Sequence, residues 1–182
     1  MAKNNLQNTI SELSAAGIFS NIDLHFARFI DRFNITRDPN VFLAAALASR
    51  ATAGGDICLN LESMSDTALL KGTSTRDSII TPELNIWRQS LKAHPAVGRP
   101  GDRLPLILDD HSRLYLLRYW QYETSLSSSI RERAEGRLSD FDTKNVNSSL
   151  NRLFPTEGGQ VDWQKVAAII GLLKRFSVIT GG

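Results

Sequence analysis

Apolar residues return every three or four positions along most of this chain, the period of helices with one buried face. In LQNTISELSAAG, Leu6, Ile10 and Leu13 share a face and Gly17 stands where a C-terminal cap would, so the spacing predicts a first helix. A second follows at once, with Asn21 as its cap and Ile22, Phe26, Phe29, Ile30 and Phe33 as one apolar stripe. His25 lies beside that stripe and reads as a packing or surface residue. Asp38 before Pro39 predicts a third start, the carboxylate capping free N–H groups and the ring presetting the first turn. VFLAAALASRATAGG continues that helix to Gly54 and Gly55, and its alanines would let neighbours approach closely, as in a central helix. Thr81 and Pro82 open another, TPELNIWRQSLKAHP, with Leu84, Trp87 and Leu91 on one face and Pro95 past its end.

Elsewhere the period changes. DICLNLESM alternates at Ile57, Leu59 and Leu61 and reads as a short strand, whereas residues 63–78 are polar without a clear period. AVGRPGDR is loop by its glycines and proline. LPLILDDHSRLYLLRYW holds two β-rich runs around Asp109 to Ser112, a hairpin signal, with Tyr115, Tyr119 and Trp120 on the second run. Gln121 to Gly136 is helical in pattern but polar, a solvated face with local ion pairs, and Ser139 to Phe154 forms a further helix ended by Pro155. TEGGQ is a turn-forming linker and marks a domain boundary. Beyond it Asp162 caps WQKVAAIIGLLKR, whose apolar surface is wider than one stripe and predicts burial on more than one side. FSVIT then reads as a strand apolar on both faces, the kind found inside a parallel sheet.

Composition narrows the function classes. The 182 residues are 42% hydrophobic and 22% charged, the balance of a soluble globular protein. No apolar run approaches the roughly 20 residues that span a bilayer, and MAKNNLQNTISELS lacks the apolar core of a secretion signal, so a cytoplasmic protein with no membrane partner is expected. The single cysteine, Cys58, has no partner for an internal disulfide and reads as a small hydrophobe; with three scattered histidines it offers no metal-ligand spacing. A net charge of +2 is too weak to mark a dedicated nucleic-acid-binding domain. Arg113, Tyr115, Arg118 and Tyr119 interleave aromatic and basic side chains and are candidate DNA contacts, although cross-strand packing is the commoner use of such aromatics. No acid/base pair, nucleophilic triad or metal cluster can be assembled, and no catalytic residue is assigned.

The tail carries the most specific pattern. A strand followed by Gly181 and Gly182 is how a phosphate-binding loop of the form G-x-x-x-x-G-K-[ST] begins, with the second glycine, the lysine and the hydroxyl lying past Gly182. DWQKVAAIIGLLKRFSVITGG resembles the opening of the first motor domain in the exodeoxyribonuclease V alpha-subunit (RecD) family, where a WQKVAA helix leads to a strand ending in GGPGTGKT. LAAALASRATAGGDICLNL, LILDDHSRLYLLRYWQYE and LNRLFP resemble stretches that precede the motor there, in the same order. Together these cover a little over half of the chain.

The resemblance implies a parent that is an ATP-driven superfamily 1 DNA helicase moving 5′ to 3′, one subunit of a three-subunit bacterial complex that processes double-strand breaks. The implied partners are its beta and gamma subunits, with docking mainly on gamma, and DNA through the parent motor. Residues 1–158 are expected to form the helical docking domain and residues 159–182 the incomplete start of the motor, cut inside the phosphate loop. The expected fold is therefore mainly α, an orthogonal helical bundle with a small β-hairpin, followed by a helix and strand stump of a P-loop α/β domain. Gln164 matches the glutamine that contacts adenine in such helicases, and Gly181 and Gly182 match the start of the phosphate loop. ATP and Mg belong to the parent; no cofactor is expected in these 182 residues, nor any ATPase, helicase or nuclease activity, because the phosphate-binding lysine and metal ligands would lie downstream. Without the motor's sheet, the tail is expected to fold back, pair through an open strand edge or stay disordered. The favoured function is an interaction domain that anchors a helicase in its complex during repair and recombination. The alternative is a winged-helix-like nucleic-acid-binding module, with Arg113, Tyr115, Arg118 and Tyr119 on the wing.

Overall fold

The computed structural model describes residues 15–70, 79–135, 143–155 and 161–180, and the chain divides into two compact units between Glu123 and Thr124. The first unit holds α1 (Asn21–Asp31), α2 (Pro39–Ala53), β1 (Leu59–Asn60), α3 (Leu61–Met64), β2 (Ala68–Leu70), β3 (Ile79–Ile80), α4 (Leu84–Ala93), β4 (Val97–Gly98), β5 (Leu106–Leu108) and β6 (Arg113–Leu116). Helix α5 (Leu117–Glu135) contains the division, and α6 (Thr143–Leu153) and α7 (Trp163–Leu173) belong to the second unit. The chain is thus mainly α with a small sheet, as the periodicity predicts.

Helix α2 is the centre of the first unit. Asp38 caps it, accepting from Asn40 N at 2.9 Å, and Pro39 occupies its first turn. Val41, Phe42, Leu47 and the alanines 44, 45, 46 and 48 are all buried, and the helix packs against α1, α4, β1 and β6. Residues 41–48 are apolar without interruption, as suits a helix segment with neighbours on more than one side.

Helix α1 starts one residue earlier than expected. Ser20, rather than Asn21, is its cap: the Ser20 hydroxyl accepts from Asp23 N while Asp23 Oδ2 accepts from Ser20 N at 2.8 Å, a reciprocal capping box. The predicted stripe also divides. Of its five members only Ile30 is buried; the core face is Leu24, Ala27 and Ile30 with Asp23, while Ile22, Phe29 and Phe33 face outward. The reason is steric, since the alanine surface of α2 admits a close helix only where α1 also presents a small side chain, at Ala27. Gly17, at φ +69°, has the left-handed backbone expected of a cap, and Ala15 before it is helical, whereas residues 6–14 of the predicted first helix lie outside the described residues.

The predicted hairpin forms, but as the middle of a four-stranded sheet of order β1, β6, β5, β4. Strand β6 runs antiparallel to β5 with Ile107 opposite Tyr115, and to β1 with Leu59 opposite Leu114. Strand β4 pairs parallel to β5, so part of AVGRPGDR is strand rather than loop. The hairpin turn closes by Ser112 N donating to Asp109 O at 3.3 Å, with Ser112 at φ +60°, the arrangement of a three-residue hairpin loop. DICLNLESM is strand only at Leu59–Asn60; Asn60 then caps α3, which buries Leu61. Helix α4 is capped by Glu83 and not by Thr81. The Thr81 hydroxyl is spent elsewhere, donating to Met64 O and accepting from Thr67 N at 2.9 Å, beside the antiparallel pair β2 and β3. Leu84, Trp87 and Leu91 face the core as predicted, and Trp87 Nε1 donates to Asn40 O at 2.9 Å.

In the second unit, Asp162 caps α7 as predicted, accepting from Gln164 N at 3.0 Å and Lys165 N at 3.1 Å. Burial on more than one side does not follow: no residue of α7 is fully buried, and Trp163 is 74% exposed. FSVIT is likewise not a strand. Residues 177–180 pair with no strand among the described residues and Val178 is 71% exposed, for an extended segment becomes a strand only where another strand takes its N–H and C=O groups. Within this unit, Leu150 of α6 is buried and Lys165 Nζ donates to Asn151 Oδ1 at 2.9 Å. The TEGGQ boundary falls at 156–160, outside the described residues, as does the start of the helix predicted from Ser139.

Two buried polar groups tie stability to pH. Asp23 accepts from Ser49 Oγ at 2.6 Å across the interface of α1 and α2. Burial pushes its pKa up, but the hydrogen bonds from Ser49 and Ser20, helped by Arg50, outweigh this and hold it below the ordinary value of 3.8. Its contribution is therefore complete above that value and is lost as pH falls through the lower folded pKa. Ser49→Ala should cost about 1 to 3 kcal/mol at neutral pH, with the loss shrinking below the carboxylate range; denaturant melts at both pH values check this.

His94 is buried at the end of α4, its Nδ1 accepting from Ala96 N at 3.2 Å and its Nε2 without a partner among the described residues. Burial lowers its pKa below 6.5 despite the opposing pull of Asp38 and Asp31. The unfolded chain then takes up the proton first, so stability should fall as pH drops below about 6.5. His94→Asn, whose Oδ1 can replace Nδ1, should flatten that slope between pH 7 and 5 in thermal melts.

Candidate functional site

The residues singled out as DNA contacts do not form one site. Arg113 and Tyr115 lie on β6, but the second β-rich run ends at Leu116, so Arg118, Tyr119 and Trp120 are on α5 and no wing carries the four together. Tyr115 is buried, edge-on to Trp120 with ring centroids 5.0 Å apart, and Cys58 is half-buried. Burial raises the pKa of both the Tyr115 hydroxyl and the Cys58 thiol, so both stay neutral and act as packing groups. Arg113 is held by Asp109, with Nε 3.2 Å from Oδ2 and its backbone N donating to Oδ1 at 2.8 Å. Arg118 Nε donates to the Tyr122 hydroxyl at 2.7 Å, and Tyr119 lies against Tyr122 at 6.4 Å.

Gln164 is exposed in the first turn of α7, leaving its side-chain amide open to a ligand, whereas Gly181 and Gly182 lie outside the described residues. Among the described residues no group of three or more His, Cys, Asp or Glu is placed to hold a metal ion, and no helix is long and apolar enough to cross a membrane. A cleft of about 600 Å³ is lined by Lys92 and Arg99 together with Asp102, Asp109 and Asp110. Its mixed charge favours neither a phosphate chain nor a cation. Gly98 in its wall is dictated by contact, since a Cβ there would stand 2.7 Å from that of Asp102.

The feature the sequence reading missed is the outer face of α1. Ile22 is 76% exposed, Phe29 46% and Phe33 43%, and half-buried Phe26 completes a row that runs along α1 and into the turn after it, where Phe33 stands. Phe26 and Phe29 lie 6.4 Å apart and Phe29 meets Phe33 edge-on at 5.2 Å, so the rings form a continuous aromatic ladder. His25, Arg28 and Arg32 are exposed beside it. The available signal was that one helix carries two apolar sets, Leu24, Ala27 and Ile30 as well as the Ile22 and Phe row, while the helix it packs on is made of alanines. Only the set containing the small Ala27 is fully buried. Phe29→Ser should accordingly cost the isolated chain less than about 1 kcal/mol, whereas the neighbouring Ile30→Ala should cost about 2 to 5 kcal/mol; denaturant melts of both variants check the division.

A family model described as "RecBCD enzyme subunit RecD, N-terminal domain" matches residues 15–115, which hold α1 and most of the sheet. The RecBCD enzyme subunit RecD of Mycobacterium tuberculosis is 30% identical over 177 residues, covering 95% of this chain and 27% of that protein. Its counterpart in Mycolicibacterium smegmatis is 29% identical over 171 residues, covering 92% and 27% respectively. The RecD subunit of Haemophilus influenzae is 30% identical over 98 residues, 53% of this chain and 15% of that protein. The chain spans about a quarter of the length of the mycobacterial relatives.

Proposed function

The chain belongs to the family of the RecBCD enzyme subunit RecD N-terminal domain, and from that membership we propose that it is an interaction domain anchoring an ATP-dependent DNA helicase subunit in a multi-subunit complex. The observation that carries the reading is the aromatic row on α1, which is large, exposed and at helical spacing. An amphipathic helix laid in an apolar groove is a recurring mode of protein recognition, and each aromatic or aliphatic side chain covered there contributes about 1.5 to 3 kcal/mol. In this reading the parent acts in double-strand-break repair as a 5′ to 3′ helicase, and this domain docks mainly on the gamma subunit, with beta completing the assembly.

Residues 159–182 are the start of the parent motor in the same reading. The exposed apolar residues of α7, with Val178 and Ile179, are surface that the motor's sheet would cover. Gln164 suits an adenine edge because its amide both donates and accepts, and Gly181 and Gly182 would begin the phosphate loop. ATP and magnesium supply phosphoryl transfer in the parent once the lysine and metal ligands beyond these residues are present. The winged-helix alternative has no observation in its favour, since Tyr115 is buried and Arg113 is paired.

The test uses the full-length parent subunit co-expressed with its beta and gamma partners. Phe29→Ser with Phe33→Ser should reduce co-purification by about thirtyfold, the loss expected for two interface anchors, with the melting temperature of the subunit unchanged. Assembly at the native level by a folded double variant would overturn the docking surface.

A further inference from the structure

We infer that the surface receiving α1 is an apolar groove with carboxylates along one rim, presented by a different protein chain and not by a second copy of this one. The inference rests on the docking reading above and adds the chemistry of the partner. Viewed down α1 at 3.6 residues per turn, and continued through its helical C-cap Arg32 to Phe33 in the turn that follows, the outer face has two rows. Phe26, Phe29 and Phe33, with Ile22, form the apolar row next to the core face. His25, Arg28 and Arg32 each precede one of these phenylalanines by a single position, so they form a basic row along the far side of the aromatic row.

The basic row has nothing to neutralise it within its own helix. Of the two carboxylates of α1, Asp23 is buried beneath the helix and committed to Ser20 and Ser49, and Asp31 is paired with Arg37 at 3.1 Å. Arg28 and Arg32 form no ion pair among the described residues. A partner that covers the aromatic row must lie beside these guanidinium groups, and it is favoured if it meets them with carboxylates. A second copy is a poor occupant, because a symmetric contact brings the same patch to itself and that patch has no free carboxylate to offer. Nucleic acid is a poor occupant as well: a row of Ile22 and three phenylalanines needs an apolar groove, which a phosphate backbone does not provide.

The experiment compares three double variants of the full-length subunit assembled with its partner subunits. Arg28→Glu with Arg32→Glu should weaken assembly by at least about tenfold, Arg28→Lys with Arg32→Lys should stay within about threefold of native because the charge is kept, and Phe29→Ser with Phe33→Ser should fail. If the charge-reversed subunit assembles as tightly as native while the serine variant fails, the acidic rim is wrong and the docking reading stands. If both assemble normally, the docking reading falls and takes this inference with it. A subunit that sediments alone as a dimer, split by the serine variant, would make a second copy the occupant and overturn the proposal. So would a free subunit that loses DNA binding on charge reversal while still assembling normally.

Discussion

The close approach of α1 to α2 is the constraint on which the first unit depends. Ala27 on one helix and the alanines of α2 on the other remove the side-chain bulk that would hold the axes apart, and Asp23 bonds to Ser49 across the gap. Close packing of this kind is intolerant of volume, and that intolerance sorts the rest of α1. Leu24 and Ile30 fit on the core face, whereas Phe29 and Phe33 do not and are left outside. The docking surface is thus a consequence of how tightly the two helices meet.

The same central helix supports the sheet. Because residues 41–48 of α2 are apolar without interruption, the helix can bury α1 on one side and β1 and β6 on another, which lets strands of only two to four residues persist. Such strands are too short to be stable alone, and packing on a helix supplies what their hydrogen bonds cannot. Trp87 joins α4 to the start of α2 through its bond to Asn40 O, so the elements around α2 are fixed by specific polar contacts as well as by apolar burial.

The second unit shows the opposite case. Helix α7 is capped and well formed, yet its apolar residues stay partly exposed, and the segment after it is not a strand. Local signals are enough for a helix, whose backbone hydrogen bonds are internal. They are insufficient for a strand, whose bonds belong to a neighbour.

Features whose physics is local are legible in the order of residues. Asp38 with Pro39 and Asp162 cap the helices they were expected to cap, the turn from Asp109 to Ser112 joins β5 and β6, and Trp87 and Leu91 face the core. The family was legible too, through the motif that ends at Gly181 and Gly182. Tertiary structure alone decided which of two apolar sets on α1 is buried, that β4 pairs with β5, and that Tyr119 stands on a helix rather than a hairpin. Each of these depends on a neighbour distant in sequence. Periodicity records that a side chain is apolar, but whether it is covered depends on the element across from it: on α1, Leu24, Ala27 and Ile30 are covered while Phe29 stays 46% exposed.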